Sequence, residues 1–292
     1  MEIIKNSLTE STTTRIRVAT FNIGDFSTAS DSSGDGIQNG NGTEKTKAEY
    51  IEVFKKVGAE LWALQEDSPC FNGTTKESAF DAIYKHIHPT YERNFTGTYN
   101  GKAFLTDIEL YDVEPVKYEK ITTSYSSEPV GYGHPWYLTG KIKVDGKEIA
   151  IATLHFDWAC KERRAHQISE VVEYAKKHEY CIILGDFNPD DCIGIHRKGP
   201  NGEDIHHTKL SSDSTHEVDN KLLTDAGFVP ANCGEFGKFV TIMSKGAPRG
   251  TSPCDNIFVS PNIKITNAFP VYEPWMNDHA ILVADLEIGG GR

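Results

Sequence analysis

Tyr180-Cys181-Ile182-Ile183-Leu184-Gly185-Asp186-Phe187-Asn188-Pro189 is the stretch from which the rest of the chain can be read. Cys181 to Leu184 has the length and β-branched content of a strand buried on both faces. Gly185 permits a sharp exit, and Pro189 prevents continuation. Asp186 and Asn188 are thus carried at the end of a rigid strand. In an extended segment, side chains two residues apart point the same way. A carboxylate and a carboxamide aimed together suit a metal–phosphate site. The same four residues also read as an Asx turn that caps a strand.

The pattern recurs along the chain. Residues 15–21 read as a strand that ends in Asn22, and 61–65 as a buried strand that runs into Glu66 and Asp67. A hairpin around Asp145-Gly146 pairs 136–144 with 147–154 and delivers His155. Asp255 opens a strand at 255–259, and Asp278-His279 lead into the last strand at 280–286. Further strands are expected at 91–98, 102–106, 108–118, 239–243 and 263–269. Helical spacing predicts helices at 45–57, 77–87 and 161–177, with a short piece from Leu222 to Gly227. The loosely alternating strands and helices, with several hairpins, predict two packed mixed sheets with helices outside, an α/β or α+β sandwich. The polar ends Asn22, Glu66, His155, Asp186, Asn188, Asp255, Asp278 and His279 would then meet along one edge. Such a set, with no Lys or Ser nucleophile, points to a divalent cation and a water nucleophile.

The chain of 292 residues can bury a sizeable core, and its net charge is −12. An acidic balance argues against general nucleic-acid binding, although bound cations can invert the field at an acidic site. No apolar run reaches the roughly 18 to 20 residues that span a bilayer. The polar start, Met1 to Arg17, has no signal-peptide core, so a soluble, cytoplasmic protein is the expectation. The six cysteines form no CxxC pair; Cys181 and Cys254 read as small buried hydrophobes, and no disulfide pairing can be inferred. Sequons stand at Asn41, Asn72 and Asn94. One domain is expected at 15–287, between tails at 1–14 and 288–292. Polar loops are expected at 25–43, 121–134 and 189–218, the last with His196, His206, His207 and His216.

Six segments, in order, resemble the motifs of the endonuclease/exonuclease/phosphatase superfamily. They are Val18-Ala19-Thr20-Phe21-Asn22-Ile23, Leu64-Gln65-Glu66, Thr153-Leu154-His155, Leu184-Gly185-Asp186-Phe187-Asn188, Asp255-Asn256-Ile257-Phe258 and Asn277-Asp278-His279. The resemblance runs from about Arg15 to Leu286. Two departures stand in it. Lys102-Ala103-Phe104-Leu105-Thr106 lacks the usual Ser-Arg ending, and the last motif has Asn277 where the family usually has Ser. The resemblance implies a four-layer sandwich of two mixed sheets flanked by helices. It also implies Mg²⁺, with Mn²⁺ as a substitute, held by Glu66, Asn22 and Asp278. By the same resemblance Asp255 orients His279, which touches the phosphate or acts as base. His155 is a second catalytic histidine, Asp186 orients or deprotonates the water, and Asn188 donates to a phosphoryl oxygen.

Substrate choice lives in the loops. Tyr132, His134, Trp158, Arg163 and Arg164 are the candidate substrate contacts, with Arg163 and Arg164 reading equally as surface charges at a helix start. The partner expected is a phosphoester, either DNA cut in a deoxyribonuclease-like way or a small or lipid head-group phosphate, acted on by a monomer. An inactive binding protein on the same fold is the third reading.

Overall fold

Strands that are apolar on both faces need a covering layer on each side. The computed structural model describes residues 13–24, 44–67, 80, 83–90, 101–119, 135–157, 161–189, 197–198, 204–205, 221–244, 247–248, 253–273 and 275–289. Its main elements are β1 (Thr14–Asn22), α1 (Glu44–Val57), β2 (Leu61–Asp67), β3 (His86–Thr90), β4 (Gly101–Thr106), β5 (Leu110–Lys117), β6 (Trp136–Val144), β7 (Lys147–His155), α2 (Lys161–Ala175), β8 (Cys181–Asp186), β9 (Val229–Pro230), β10 (Asp255–Val259), β11 (Ile263–Val271) and β12 (Ile281–Ile288). One six-stranded sheet has the order β11-β12-β1-β2-β4-β3, the other β9-β10-β8-β7-β6-β5.

Period-two alternation divides the apolar side chains among three cores. Between the sheets lie Val18, Leu61, Ala63, Phe104, Ile149, Ile151, Ile182, Leu184, Ile257 and Leu282. The opposite rows of the first sheet, with Phe21, Trp62, Leu64 and Val283, pack against Tyr50, Val53 and Phe54 of α1. Those of the second, with Ala152, Leu154, Ile183 and Phe258, pack against Ile168, Val171 and Val172 of α2. The result is a sandwich of four layers, helix, sheet, sheet, helix.

Each sheet contains one parallel pair joined through its helix: β1 with β2, and β7 with β8. Both pairs end at the same edge of the sandwich. The antiparallel neighbours β10 and β12 begin there, Asp255 lying opposite Asp186 and the His279 loop leading into β12. The parallel contact of β7 and β8 is close at Gly185, where a Cβ would lie 2.2 Å from the Leu154 carbonyl oxygen.

Three expectations are corrected. Of the helix expected at 77–87, residues 77–79, 81 and 82 lie outside the described residues; the Ile83 and Tyr84 amides donate to the Phe80 carbonyl, and His86 and Ile87 belong to β3 instead. Ile87 aligns with Leu105, so β4 gains a partner strand, and Pro89 is tolerated because β3 is the outer strand of the sheet. The strand expected at 239–243 shrinks to Met243–Ser244 paired with Ala247–Pro248; Phe239 instead exchanges main-chain bonds with the Asn232 side chain. Cys254, expected as a plain buried hydrophobe, is disulfide-bonded, whereas Cys181 is a buried free thiol as expected. The strand at 91–98, the sequons, the four loop histidines and most of the three long loops lie outside the described residues. Among the described residues no helix is long and apolar enough to cross a membrane.

Candidate active site

Asn22 and Gln65 follow the inward row of the first sheet; His155 and Asp186 follow that of the second, and Asp255 opens the inward row of β10. Alternation alone therefore aims Asn22, His155, Asp186 and Asp255 between the sheets. Glu66 does not obey it: by parity with Trp62 and Leu64 it would face α1. A β-bulge between Gln65 and Asp67, where the pairing passes from Lys102 to Gly101, inserts Glu66 as an extra residue with a left-handed φ of 52°. The re-aimed carboxylate accepts from the Asn22 amide at 3.2 Å. Asn188, one step past Phe187, also has a left-handed φ, 42°. Non-glycine residues held in this region collect at functional sites.

Asp186 is the hub. Its Oδ2 accepts from Asn22 Nδ2 at 3.1 Å and its Oδ1 from the Asn188 amide at 3.0 Å. The Nε2 of His155 lies 3.4 Å from Oδ2, and that of His279 lies 3.7 Å from it. Burial, with the charge of Asp255 adding, raises the Asp186 carboxyl to about 7 against the pull of His279. His279 Nδ1 is 2.9 Å from Asp255 Oδ2. Burial would lower the imidazole, but the charge and hydrogen bond of Asp255 outweigh it and hold His279 well above its ordinary value. Asp278 stands beside it, half-buried, and its charge adds to that rise. Glu66 differs from Asp186 and Asp255 in being open to solvent: its side chain is 32% exposed, against 2% and 0% for those two.

Neighbouring groups hold these residues in place. The Asp255 amide donates to Thr241 Oγ1, and its carbonyl accepts from Asn232 Nδ2. Behind His155, the Phe156 amide donates to the Asp186 carbonyl and the Phe156 carbonyl accepts from Asn188 Nδ2. Gln65 Nε2 donates to Thr153 Oγ1 at 2.9 Å and so bridges the two sheets directly beneath the site; it also meets Thr20 Oγ1.

No family model matches the chain, and no curated protein matches it. Solved structures do. An endonuclease/exonuclease/phosphatase from Beutenbergia cavernae superposes with a TM-score of 0.67 at 15% identity, over 95% of this chain and 72% of its own. One from Bacteroides vulgatus gives 0.63 at 17%, over 94% and 99%. TDP2 of D. rerio, complexed with a single-strand DNA product, gives 0.58 at 12%, over 93% and 98%. The fold is that of the endonuclease/exonuclease/phosphatase superfamily.

On this endonuclease/exonuclease/phosphatase fold, Asn22, Glu66, His155, Asp186, Asn188, Asp255, Asp278 and His279 come to one edge. Arg163 and Arg164 do not present themselves there as cations, nor are they surface charges. Both are buried: Arg163 pairs with the Asp157 carboxylate and Arg164 Nη1 donates to the Asp157 carbonyl. Gln167 completes this anchor by accepting from the Asp157 amide. Tyr132, His134 and Trp158 lie outside the described residues. Sequence reading missed Asp157, Gln65, Thr241, Asn232 and Asn277. Gln65 carried a signal, a lone amide at the end of an apolar strand, and so did Asn277, a departure from the motif.

Proposed function

We propose that this chain is a Mg²⁺-dependent phosphodiester hydrolase of the deoxyribonuclease-like kind. One observation carries the reading: a single buried carboxylate oxygen, Asp186 Oδ2, faces the Nε2 atoms of two imidazoles and the Asn22 amide, with Glu66 alongside. Glu66, Asn22 and Asp278 supply only oxygen and amide donors, and Glu66 is open to solvent, which fits a hard cation that keeps several waters. Asp186, Asp255 and His279 also have ligand atoms within 4.8 Å of one another. His279 Nδ1 and Asp255 are engaged with each other, however, and all three are buried, so Glu66 is the better place for the cation. Mn²⁺ would serve there as well.

When bound, the cation neutralises phosphate charge and stabilises the leaving oxygen. Asp186, with a carboxyl near 7, can take the proton of an attacking water at neutral pH. His279, held as imidazolium by Asp255, donates to phosphoryl oxygen as negative charge builds. His155, with Nε2 3.9 Å from Glu66 Oε1, completes the cradle on the other side. Asn188 keeps one amide hydrogen for the phosphate after bonding the Phe156 carbonyl.

A second reading, hydrolysis of small or head-group phosphates, is favoured by the net charge of −12 and by the burial of Arg163 and Arg164. Plasmid DNA, inositol phosphates and bis-p-nitrophenyl phosphate, each with Mg²⁺ or EDTA, separate the two. Nicking of plasmid and turnover of the diester with Mg²⁺ alone are expected. Turnover of inositol phosphates with DNA left intact rejects the nuclease; no Mg²⁺-dependent turnover of any phosphate rejects the hydrolase. The disulfide at Cys254 favours an oxidising compartment over the cytoplasm.

A further inference from the structure

We propose that Asn277 is a positioning residue that ties the Asn22 end of the site to the His279 loop, so that one buried carboxamide sets cation affinity and imidazole placement together. This rests on the hydrolase reading above.

Asn277 is 1% exposed and uses three groups at once. Its Nδ2 donates to the Asn22 carbonyl at 2.9 Å. Its Oδ1 accepts from the His279 amide at 3.0 Å. Its own amide donates to the Tyr50 hydroxyl at 3.1 Å, and Tyr50 is buried in α1 with its ring edge-on to Trp275 at 4.9 Å. The first bond fixes the main chain of Asn22 where β1 ends. The Asn22 side chain in turn donates to both Glu66 and Asp186. The second bond fixes the main chain of His279, whose ring is then aimed by Asp255. The third fastens the loop to the outer helix.

A carboxamide carries a donor and an acceptor on separate arms and can serve both strands simultaneously. A serine hydroxyl at this place keeps an acceptor for the His279 amide, but its one oxygen cannot also reach where Asn277 Nδ2 reaches, so the bond to the Asn22 carbonyl is lost. Asn277→Ser therefore removes one half of the link and Asn277→Ala removes both. A residue that only packed the loop would move stability alone.

The test compares wild type, Asn277→Ser and Asn277→Ala in three measurements: calorimetric Mg²⁺ titration of metal-free protein, kcat on bis-p-nitrophenyl phosphate at saturating Mg²⁺, and melting in EDTA. Groups that support a metal ligand typically affect affinity about 10- to 100-fold. Asn277→Ser is expected to weaken Mg²⁺ binding about tenfold, with kcat falling by less than that. Asn277→Ala is expected to show the same loss of affinity and a further fall in kcat of about tenfold. If the Ala variant does not fold, the Ser variant decides alone. Lower melting with unchanged Kd, or a fall in kcat with Kd unchanged in Asn277→Ser, overturns the proposal and leaves the hydrolase standing. A wild type that binds no Mg²⁺ and turns over no phosphate overturns both.

Discussion

The two sheets make the same device twice and finish it differently. Each has a parallel pair joined through a helix, β1–α1–β2 and β7–α2–β8, and each pair ends at the same edge. The first pair ends in Asn22 and Glu66, a carboxamide and a carboxylate partly open to water. The second ends in His155 and Asp186, both nearly sealed. A carboxylate in water stays charged and can bind a cation, whereas a buried one has its ionisation raised into the neutral range and can exchange protons. The two carboxylates thus differ in chemistry chiefly because one is open to water and the other is buried.

The largest expected effect separates the proton-handling side of the site from the cation-binding side. His279→Ala should lower kcat on bis-p-nitrophenyl phosphate by about 10²–10⁴-fold while leaving Mg²⁺ binding measurable by calorimetry. Glu66→Ala should do the reverse in binding. Wild type should gain about 2.7 kcal/mol of stability at a Mg²⁺ concentration 100 times Kd, read as a higher melting temperature, and the variant should lose that gain. Should both variants fail in the same measurement only, the division between cation binding and proton handling is wrong.

A pH profile sharpens the same contrast. Asp186 holds its proton up to about 7 and is the base only above that value. The kcat/KM profile should therefore rise with pH through an acid limb. Mg²⁺ nearby favours the charged form and should move the Asp186 ionisation, followed by carboxyl NMR, downward. An ionisation unchanged by Mg²⁺ would put the cation elsewhere.

Much of this was legible in the sequence, for a physical reason. Period two is a property of the strand, so apolar runs ending in Asn22, His155 and Asp186 predicted both the sandwich and the shared edge. Glu66 reads as one more polar strand end, but strict alternation would send it to the helix side; the bulge that re-aims it leaves no mark in a single sequence. The helix expected at 77–87 is lost at its described end because Ile87, though at helical spacing from Ile83 and Tyr84, pairs with Leu105 of β4 as a strand residue. Arg163 and Arg164 were misplaced because a buried ion pair needs its partner, Asp157, to be seen in space.

Two smaller effects probe the scaffold. Gln65→Leu should cost about 1–3 kcal/mol in urea unfolding, since it strips Thr153 and Thr20 of a buried partner at the joint between the sheets. Away from the site, Arg17 holds Asp285 below the ordinary carboxylate range by a paired hydrogen bond at 2.6 and 3.1 Å. Because solvent screens the pair, Asp285→Asn should cost only about 0.5 kcal/mol. A depressed carboxyl contributes above its unfolded value, near ~4, and ceases to as pH falls through the folded one. The difference between wild type and variant should therefore vanish in acid.

The bulge at Glu66 has a consequence for how such a chain tolerates change in length. Delete that one residue, and Gln65 and Asp67 could continue an unbroken ladder against Lys102 and Gly101. The sheet would become more regular, and the left-handed backbone at this point would go. The carboxylate proposed to hold the cation is thus supernumerary to the architecture. Selection on folding alone would tend to erase it, so its persistence in a lineage would report on catalysis.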